Sequence, residues 1–467
     1  MIFRFKQRFV KHTPSRDMTE GNPVKLIFSF AIPVLLGNIV QNFYSMADSI
    51  IVGRILGTDA LAAVGNTGPF TFLVLGFVFG LTSGFAVLTA QAYGSKDANR
   101  LKNSVAMNII LNFIAAVVFT SIAMGTSKPL LILVNTPESV LQSSLTYINI
   151  IYAGIGATIL YNWAACTLRA VGDSKTPLYF LIFSSVLNIV LDIVLIKFAN
   201  WGIAGAAAAT VFAQAVAGVL SLVVMWKKYP ELHVKRQNFE WNIDFASKHL
   251  KIGAPMAFQF SITAIGTIVL QAALNLFGAN SMAAYTAANK VEQFIAVAAG
   301  SFGVVMANYA GQNYGAGRID RIKSGTRAGV FLTVAFSLFS MAIGLLFPDF
   351  LTALFMEKTS PAFTEIVALS RQYLQLTCIF YPALFLIFIY RNVLQSIGKT
   401  FWPLMGGVFE LITRTVCAFT LPSILNYAGI CLAGPAAWFS AAIPLFIAYR
   451  IIIKKLSTSE DFEIVKK

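Results

Sequence analysis

Apolar runs of about 20 residues recur along the whole chain, and the sequence that carries them is written twice. Ala90-Gln91-Ala92-Tyr93-Gly94 returns as Gly311-Gln312-Asn313-Tyr314-Gly315. Leu56-Gly57-Thr58-Asp59-Ala60-Leu61-Ala62-Ala63 matches Phe277-Gly278-Ala279-Asn280-Ser281-Met282-Ala283-Ala284 in the same register. Ala31-Ile32-Pro33 echoes Gly253-Ala254-Pro255, off by one residue. Each copy is long enough to cross a membrane six times. Duplicated bundles are common where one half rocks against the other around a central site, so the repeat bears on mechanism as well as ancestry.

Hydrophobic residues make up 57% of the chain and charged residues 12%, against about 25% charged in a soluble domain. The pattern predicts an all-α polytopic membrane protein with twelve transmembrane helices in two pseudo-symmetric six-helix lobes. The spans run over roughly 24–52, 60–88, 101–125, 142–168, 177–196, 203–226, 250–276, 282–310, 326–347, 365–391, 401–422 and 430–453. A basic segment, 1–22, precedes an N-lobe over 23–226. A linker over 227–249 leads to a C-lobe over 250–455 and a tail over 456–467. Six spans per copy start both copies on the same side, with the pseudo-twofold axis along the membrane normal.

The net charge of +15 follows the membrane and calls for no nucleic acid. With the N-terminus inside, 28 lysines and arginines fall on inner segments, Arg391 and Lys399 among them. Only Arg54, Lys128, Lys197 and Lys358 fall on outer loops. This asymmetry predicts a multi-pass protein of the cell membrane with both termini cytoplasmic. The first apolar span is too long for a signal peptide. Cys166, Cys378, Cys417 and Cys431 lie in or beside apolar spans without metal-ligand spacing and read as small buried hydrophobes. His12, His233 and His249 all fall in cytoplasmic segments, so no nucleophile–base set for an intramembrane enzyme is legible. Gly398-Lys399-Thr400 lacks the upstream glycine of a phosphate loop, which disfavours ATP as the energy source. No cofactor and no metal are expected.

Ionisable groups inside spans are costly and are functional candidates by default. Asp48 lies on helix 1, and Asp192 lies on helix 5 with Asn188 four residues before it on the same face. At about 1.5 Å per residue, Asp48 sits roughly 9 Å, Asp192 roughly 8 Å and Thr210 roughly 12 Å from the outer ends of their helices. Three helices therefore bring polar groups to one level, where neighbouring carboxyls can work as a proton switch. In the second copy Lys290 and Glu292 lie on helix 8, Arg371 on helix 10, and Glu410 and Arg414 on helix 11. Glu410 and Arg414 are spaced for an intrahelical ion pair. Glu292 has no opposite charge at helical spacing and must find a partner across helices or line a wet cavity. A substrate cavity is expected around Gln41, Glu292, Glu410 and Arg414.

These residues resemble the MATE family, the multidrug and toxic compound extrusion transporters, from about Pro23 to Tyr449. The resemblance is carried by Ala31-Ile32-Pro33 with Asp48 downstream, by Gly53 to Gly57, and by Ala90-Gln91-Ala92-Tyr93-Gly94. Leu168-Arg169-Ala170-Val171-Gly172-Asp173-Ser174-Lys175-Thr176-Pro177, followed by Asn188 and Asp192, extends it. It implies two six-helix lobes in a V and export driven by entry of H⁺ or Na⁺. In the DinF-like branch an N-lobe cluster couples the ion, and Asp48, Asn188, Asp192 and Thr210 match it. Pro33 matches a proline where helix 1 bends on protonation. The other main branch carries acids on helices 7 and 10, where this chain has Thr263 and an apolar position near Leu384. That departure speaks against a C-lobe Na⁺ site of that type.

The reading that results is a monomeric secondary antiporter in the lipid bilayer. It exports small organic compounds, cationic or amphipathic, in exchange for protons by alternating access. One alternative is a lipid-linked saccharide flippase, with Lys290, Arg371 and Arg414 meeting a pyrophosphate. The other is a Na⁺-coupled exporter.

Overall fold

The computed structural model describes residues 17–354 and 362–458. The expected basic segment up to Arg16, the loop residue Lys358 and the tail beyond Thr458 lie outside the described residues. Those described are about 90% helical, with no strand among them. The first copy comprises α1 Pro23–Leu56, α2 Thr58–Gly94, α3 Ala98–Leu133, α4 Glu138–Ala153, α5 Ile155–Ala170, α6 Lys175–Asp192 and α7 Gly202–Lys228. The second comprises α8 Ile243–Leu274, α9 Gly278–Gly315, α10 Ile319–Leu346, α11 Pro348–Ala353, α12 Phe363–Cys378, α13 Tyr381–Ser396, α14 Phe401–Thr420, α15 Pro422–Leu425 and α16 Tyr427–Thr458. Among the described residues nine helical runs are long and apolar enough to cross a membrane, or up to eleven when each bent pair counts as one.

The duplication is visible in the backbone. Left-handed φ values occur in matched pairs at the turns: Gly57 and Gly278, Lys96 and Gly317, Gly172 and Gly398, Asn200 and Asn426. Each copy also bends at its fourth span, by 45° between α4 and α5 and by 50° between α12 and α13. The sequence predicts both spans as unbroken, because an apolar run reads the same whether straight or bent. At the first break a Cβ on Gly154 would collide with Val211 of α7. At the second, Pro382 in the first turn of α13 withholds a backbone N–H and crowds the carbonyl of Cys378.

Large apolar side chains cover the exterior: Phe113, Phe198 and Ile424 are 70%, 71% and 77% exposed. Small and polar residues such as Ala206, Thr82, Asn108 and Asn112 are buried. This inversion of a soluble protein is what a lipid environment requires.

The chain divides into two compact units. Of the described residues, unit 1 holds 17–20 and Leu36–Ala257; unit 2 holds Gly21–Leu35 and those from Phe258 onward. Both divisions fall inside helices, two residues past a proline: Pro33 in α1 and Pro255 in α8. A proline inside a helix removes one backbone hydrogen bond and weakens it locally. In unit 1, Leu81, Phe85, Leu111, Ile148 and Tyr152 form one continuous apolar core. In unit 2, Phe336 packs against Phe302 and Phe385, and Tyr381 against Trp438.

The start of α8 lies directly on α2. A Cβ on Gly80 would stand 2.6 Å from the Met256 carbonyl oxygen, and one on Gly84 would overlap the Gly253 backbone. Such spacing of small residues lets two helix backbones touch. α8 begins seven residues earlier than its predicted span, so His249 is part of a helix. Its ring is buried against Phe85 and Phe245, with Nε2 3.4 Å from Ser104 Oγ. Gly84→Val should separate these backbones and cost about 1–3 kcal/mol, read as a lowered thermal midpoint of the purified protein; an unchanged midpoint would refute the close packing.

Candidate functional site

Four helices of unit 1 build one polar site. Asp48 lies on α1 and is buried; Asn188 and Asp192, on the last turn of α6, are fully buried. After Asp192 the helix widens into a π-turn, Ile193–Phe198, a form that recurs at functional sites. Thr210 of α7 accepts hydrogen bonds from Asn188 Nδ2 at 3.3 Å and from the Tyr44 hydroxyl at 3.1 Å. The carboxyls of Asp48 and Asp192 stand within electrostatic reach of each other. Tyr147 of α4 stands within electrostatic reach of both.

Supply of hydrogen-bond donors falls short here. Asp48 Oδ1, both oxygens of Asp192 and Asn188 Oδ1 are buried and find no donor among the described residues. Unsatisfied buried oxygens of this kind cost roughly 1–3 kcal/mol each, more when charged. Protonation or a bound cation satisfies such a set; an apolar or anionic group does not. The structure thus brings together Asp48, Asn188, Asp192 and Thr210, at the common level that their positions predict. Sequence reasoning missed Tyr44 and Tyr147. Tyr44 was within reach, since it precedes Asp48 by one helical turn; Tyr147 carries no such mark. Gln41 lies half-buried on α1, two turns before Asp48.

Unit 2 holds a different network. Arg414 Nη2 donates to Glu410 Oε1 at 2.6 Å across one turn of α14. Arg391 Nη2 donates to the other oxygen of Glu410 at 3.3 Å. Arg391, counted with the inner segments at the end of a predicted span, is only 5% exposed: it lies on α13 inside the unit, beside the side-chain amides of Gln259 and Gln395. An arginine near a nominal span end is read as a loop residue, and only packing reveals it as buried. Arg371, expected inside a span, instead pairs with Asp349 on the protein surface, with Nε 2.7 Å from Oδ1. Its partner comes from the short helix α11, which the sequence does not announce. Glu292 finds its partner across helices, accepting from the Tyr373 hydroxyl at 2.7 Å. Tyr285 packs edge-on against Tyr373 at 5.1 Å.

Glu410 thus serves two buried arginines. Glu410→Gln should strand both cations and cost about 3–5 kcal/mol of stability. Arg414→Met should cost less, because Arg391 still faces Glu410. A thermal-melting series of the two variants checks the order; a milder Glu410→Gln would contradict it.

The comparisons with known proteins agree on one family. The MatE family profile matches residues 33–194 and 255–420, once in each copy. "Probable multidrug resistance protein YoeA" of Bacillus subtilis is 30% identical over 436 residues, covering 91% of this chain and 93% of the relative. The "FAD transporter" of Shewanella oneidensis is 25% identical, covering 94% of this chain and 97% of its own. Among solved structures, an outward-facing multidrug resistance MATE family transporter of the MOP superfamily superposes with a TM-score of 0.89 over 96% of this chain and all of the other. At 22% identity that likeness speaks for the fold alone. Two profile matches that together span most of the chain, and a relative aligned along nearly its whole length, make this protein a member of the MATE family of multi-pass membrane transporters.

Proposed function

We propose that the chain crosses the membrane twelve times, as two six-helix lobes, with both termini in the cytoplasm of a cell-membrane protein. The run Ile243–Gly315 counts as one span of 73 residues. At about 1.5 Å per residue it would reach roughly 110 Å, more than three times the bilayer core of about 30 Å. We read Gly278, whose φ of 82° matches that of Gly57 between α1 and α2, as the turn that divides this run into two spans, which would raise eleven to twelve.

The proposed activity is export of small organic compounds, cationic or amphipathic, in exchange for protons by alternating access. One observation carries it: four buried acceptor oxygens on Asp48, Asn188 and Asp192 have no donor among the described residues. A proton entering this site satisfies the paired carboxyls, and its departure restores negative charge. Asp48 sits on the same helix as Pro33, so the change at the carboxyl reaches a helix already weakened by proline. Inward movement of one proton down 100 mV supplies about 2.3 kcal/mol, enough for roughly fiftyfold accumulation of an uncharged compound outside; a monovalent cation leaving one-for-one cancels that charge movement, and its export is driven by the pH gradient alone. The proposed substrate contacts are Gln41 in unit 1 and, in unit 2, Glu292 with Glu410 and Arg414. The protein acts as a monomer and carries no cofactor. Multidrug resistance in the names of relatives such as YoeA supports the substrate class.

The flippase reading loses support, because Arg371 and Arg414 sit in separate ion pairs. A second reading, export of an anionic compound, has one observation in its favour. Arg391 and Arg414 share a single carboxylate, and Arg414 Nε finds no hydrogen-bond partner among the described residues. The relative named as a transporter of FAD, an anion, fits the same reading.

Two experiments test the proposal. In vesicles preloaded with ethidium, an imposed proton gradient should drive transport against the concentration gradient, and Na⁺ should not replace it. Transport that requires Na⁺ and ignores a collapsed proton gradient would refute proton coupling. Asp48→Asn and Asp192→Asn should each lower proton-driven transport by roughly tenfold or more, with the double variant no worse than either; additive losses would mean two separate sites.

A further inference from the structure

A groove of about 850 Å³ opens on unit 2 between α10 and α16, with Tyr390 of α13 on its floor. One end is basic, with Lys323 and Arg327 from α10 and Arg450 and Lys454 from α16. No Asp or Glu lies among the described residues that line it. The remainder is apolar, formed by Val330, Phe331, Val334, Leu338 and Phe446. Phe331 and Phe446 are 67% and 43% exposed, so the groove faces outward. From Lys323 to Leu338 it runs about 22 Å along α10, against roughly 15 Å for the hydrocarbon of one leaflet. Between its basic and apolar parts the Tyr449 hydroxyl meets Thr326, and Arg450 lies 6.0 Å from the Phe446 ring centre.

Unit 1 shows what closes the corresponding face there. On α3 and α7, Lys102 and Lys228 match Lys323 and Lys454, but Ala106 and Val224 stand where unit 2 has Arg327 and Arg450. The chain after α7 folds over this face: Tyr229 and Leu232 pack with Leu101, Val105 and Met225. Further along, Asn238 Nδ2 donates to Asn103 Oδ1 at 2.8 Å. Among the described residues, unit 2 therefore leaves this groove open and has two added arginines where unit 1 has protein cover.

We propose that this groove binds an anionic phospholipid. Its phosphate is held by Arg327 and Arg450, with Lys323 and Lys454 beside them, and an acyl chain lies along Phe331, Leu338 and Phe446. Basic pockets between transmembrane helices recognise anionic head groups in this way, and guanidinium pairs suit phosphate oxygens. The lipid would also brace α13, where Tyr390 on the groove floor directly precedes the buried Arg391.

The test uses the full chain in vesicles of phosphatidylcholine alone, or of equal parts phosphatidylcholine and phosphatidylglycerol. Phosphatidylglycerol retained after mild detergent extraction is counted by native mass spectrometry, and thermal midpoints are taken in both vesicles. The double substitution Arg327→Gln with Arg450→Gln should lower retention by roughly tenfold or more and abolish the rise in midpoint given by phosphatidylglycerol. Its midpoint in phosphatidylcholine should stay that of the unsubstituted protein. Lys102→Gln with Lys228→Gln should change neither reading. If the double variant does not fold, each single change gives the same reading at smaller size. Equal retention in the arginine and lysine variants would mean diffuse surface attraction and overturn the proposal. Greater retention by a chain ending at Thr458 would show that the chain's own tail occupies the groove, and would overturn it as well.

Discussion

Two carboxyl groups placed face to face among apolar helices need a positive partner. Asp48 and Asp192 face this constraint in unit 1, where Asp48 Oδ1 and both oxygens of Asp192 find no donor among the described residues. Everything around them supports that exposed demand without satisfying it. Asn188 and Tyr44 spend their donors on Thr210, and Asn188 turns an unsatisfied oxygen to the site. The π-turn after Asp192 closes the helix end against α7. On the proposed function, a proton entering this site supplies the missing donor, so that occupancy and local structure would change together.

The division of the chain runs through two of its helices. α1 carries Asp48 in unit 1, yet its first part, up to Leu35, packs in unit 2. α8 does the reverse, with Ala257 the last residue on the unit 1 side. Both helices change unit two residues past a proline. One covalent helix thus runs from unit 2 into the unit that holds the acid pair. Charge is divided just as unequally: unit 1 presents uncompensated acid, and unit 2 balances Glu410 against two arginines.

Much of this was legible in the sequence, for physical reasons. The duplication, the apolar spans and the level shared by Asp48, Asp192 and Thr210 follow from period and helical rise. The Glu410–Arg414 pair follows from its spacing. What escaped were features set by packing between helices. The bends at Gly154 and Pro382 leave the apolar pattern unchanged. Arg391 lies near a span end, where burial and a loop look alike. Arg371 waits on Asp349 from a helix of only six residues, too short to show a period. Tyr147 comes to the acid pair from α4 with no spacing that points to it.

The central claim is that Asp48 and Asp192 hold a proton that leaves when substrate binds. The most direct test is to add ethidium to the purified protein in weakly buffered solution and count protons released with a pH indicator. The account predicts about one proton per chain from the unsubstituted protein, and none from a chain carrying Asp48→Asn and Asp192→Asn. Ethidium binding without proton release, or equal release from both proteins, would contradict it.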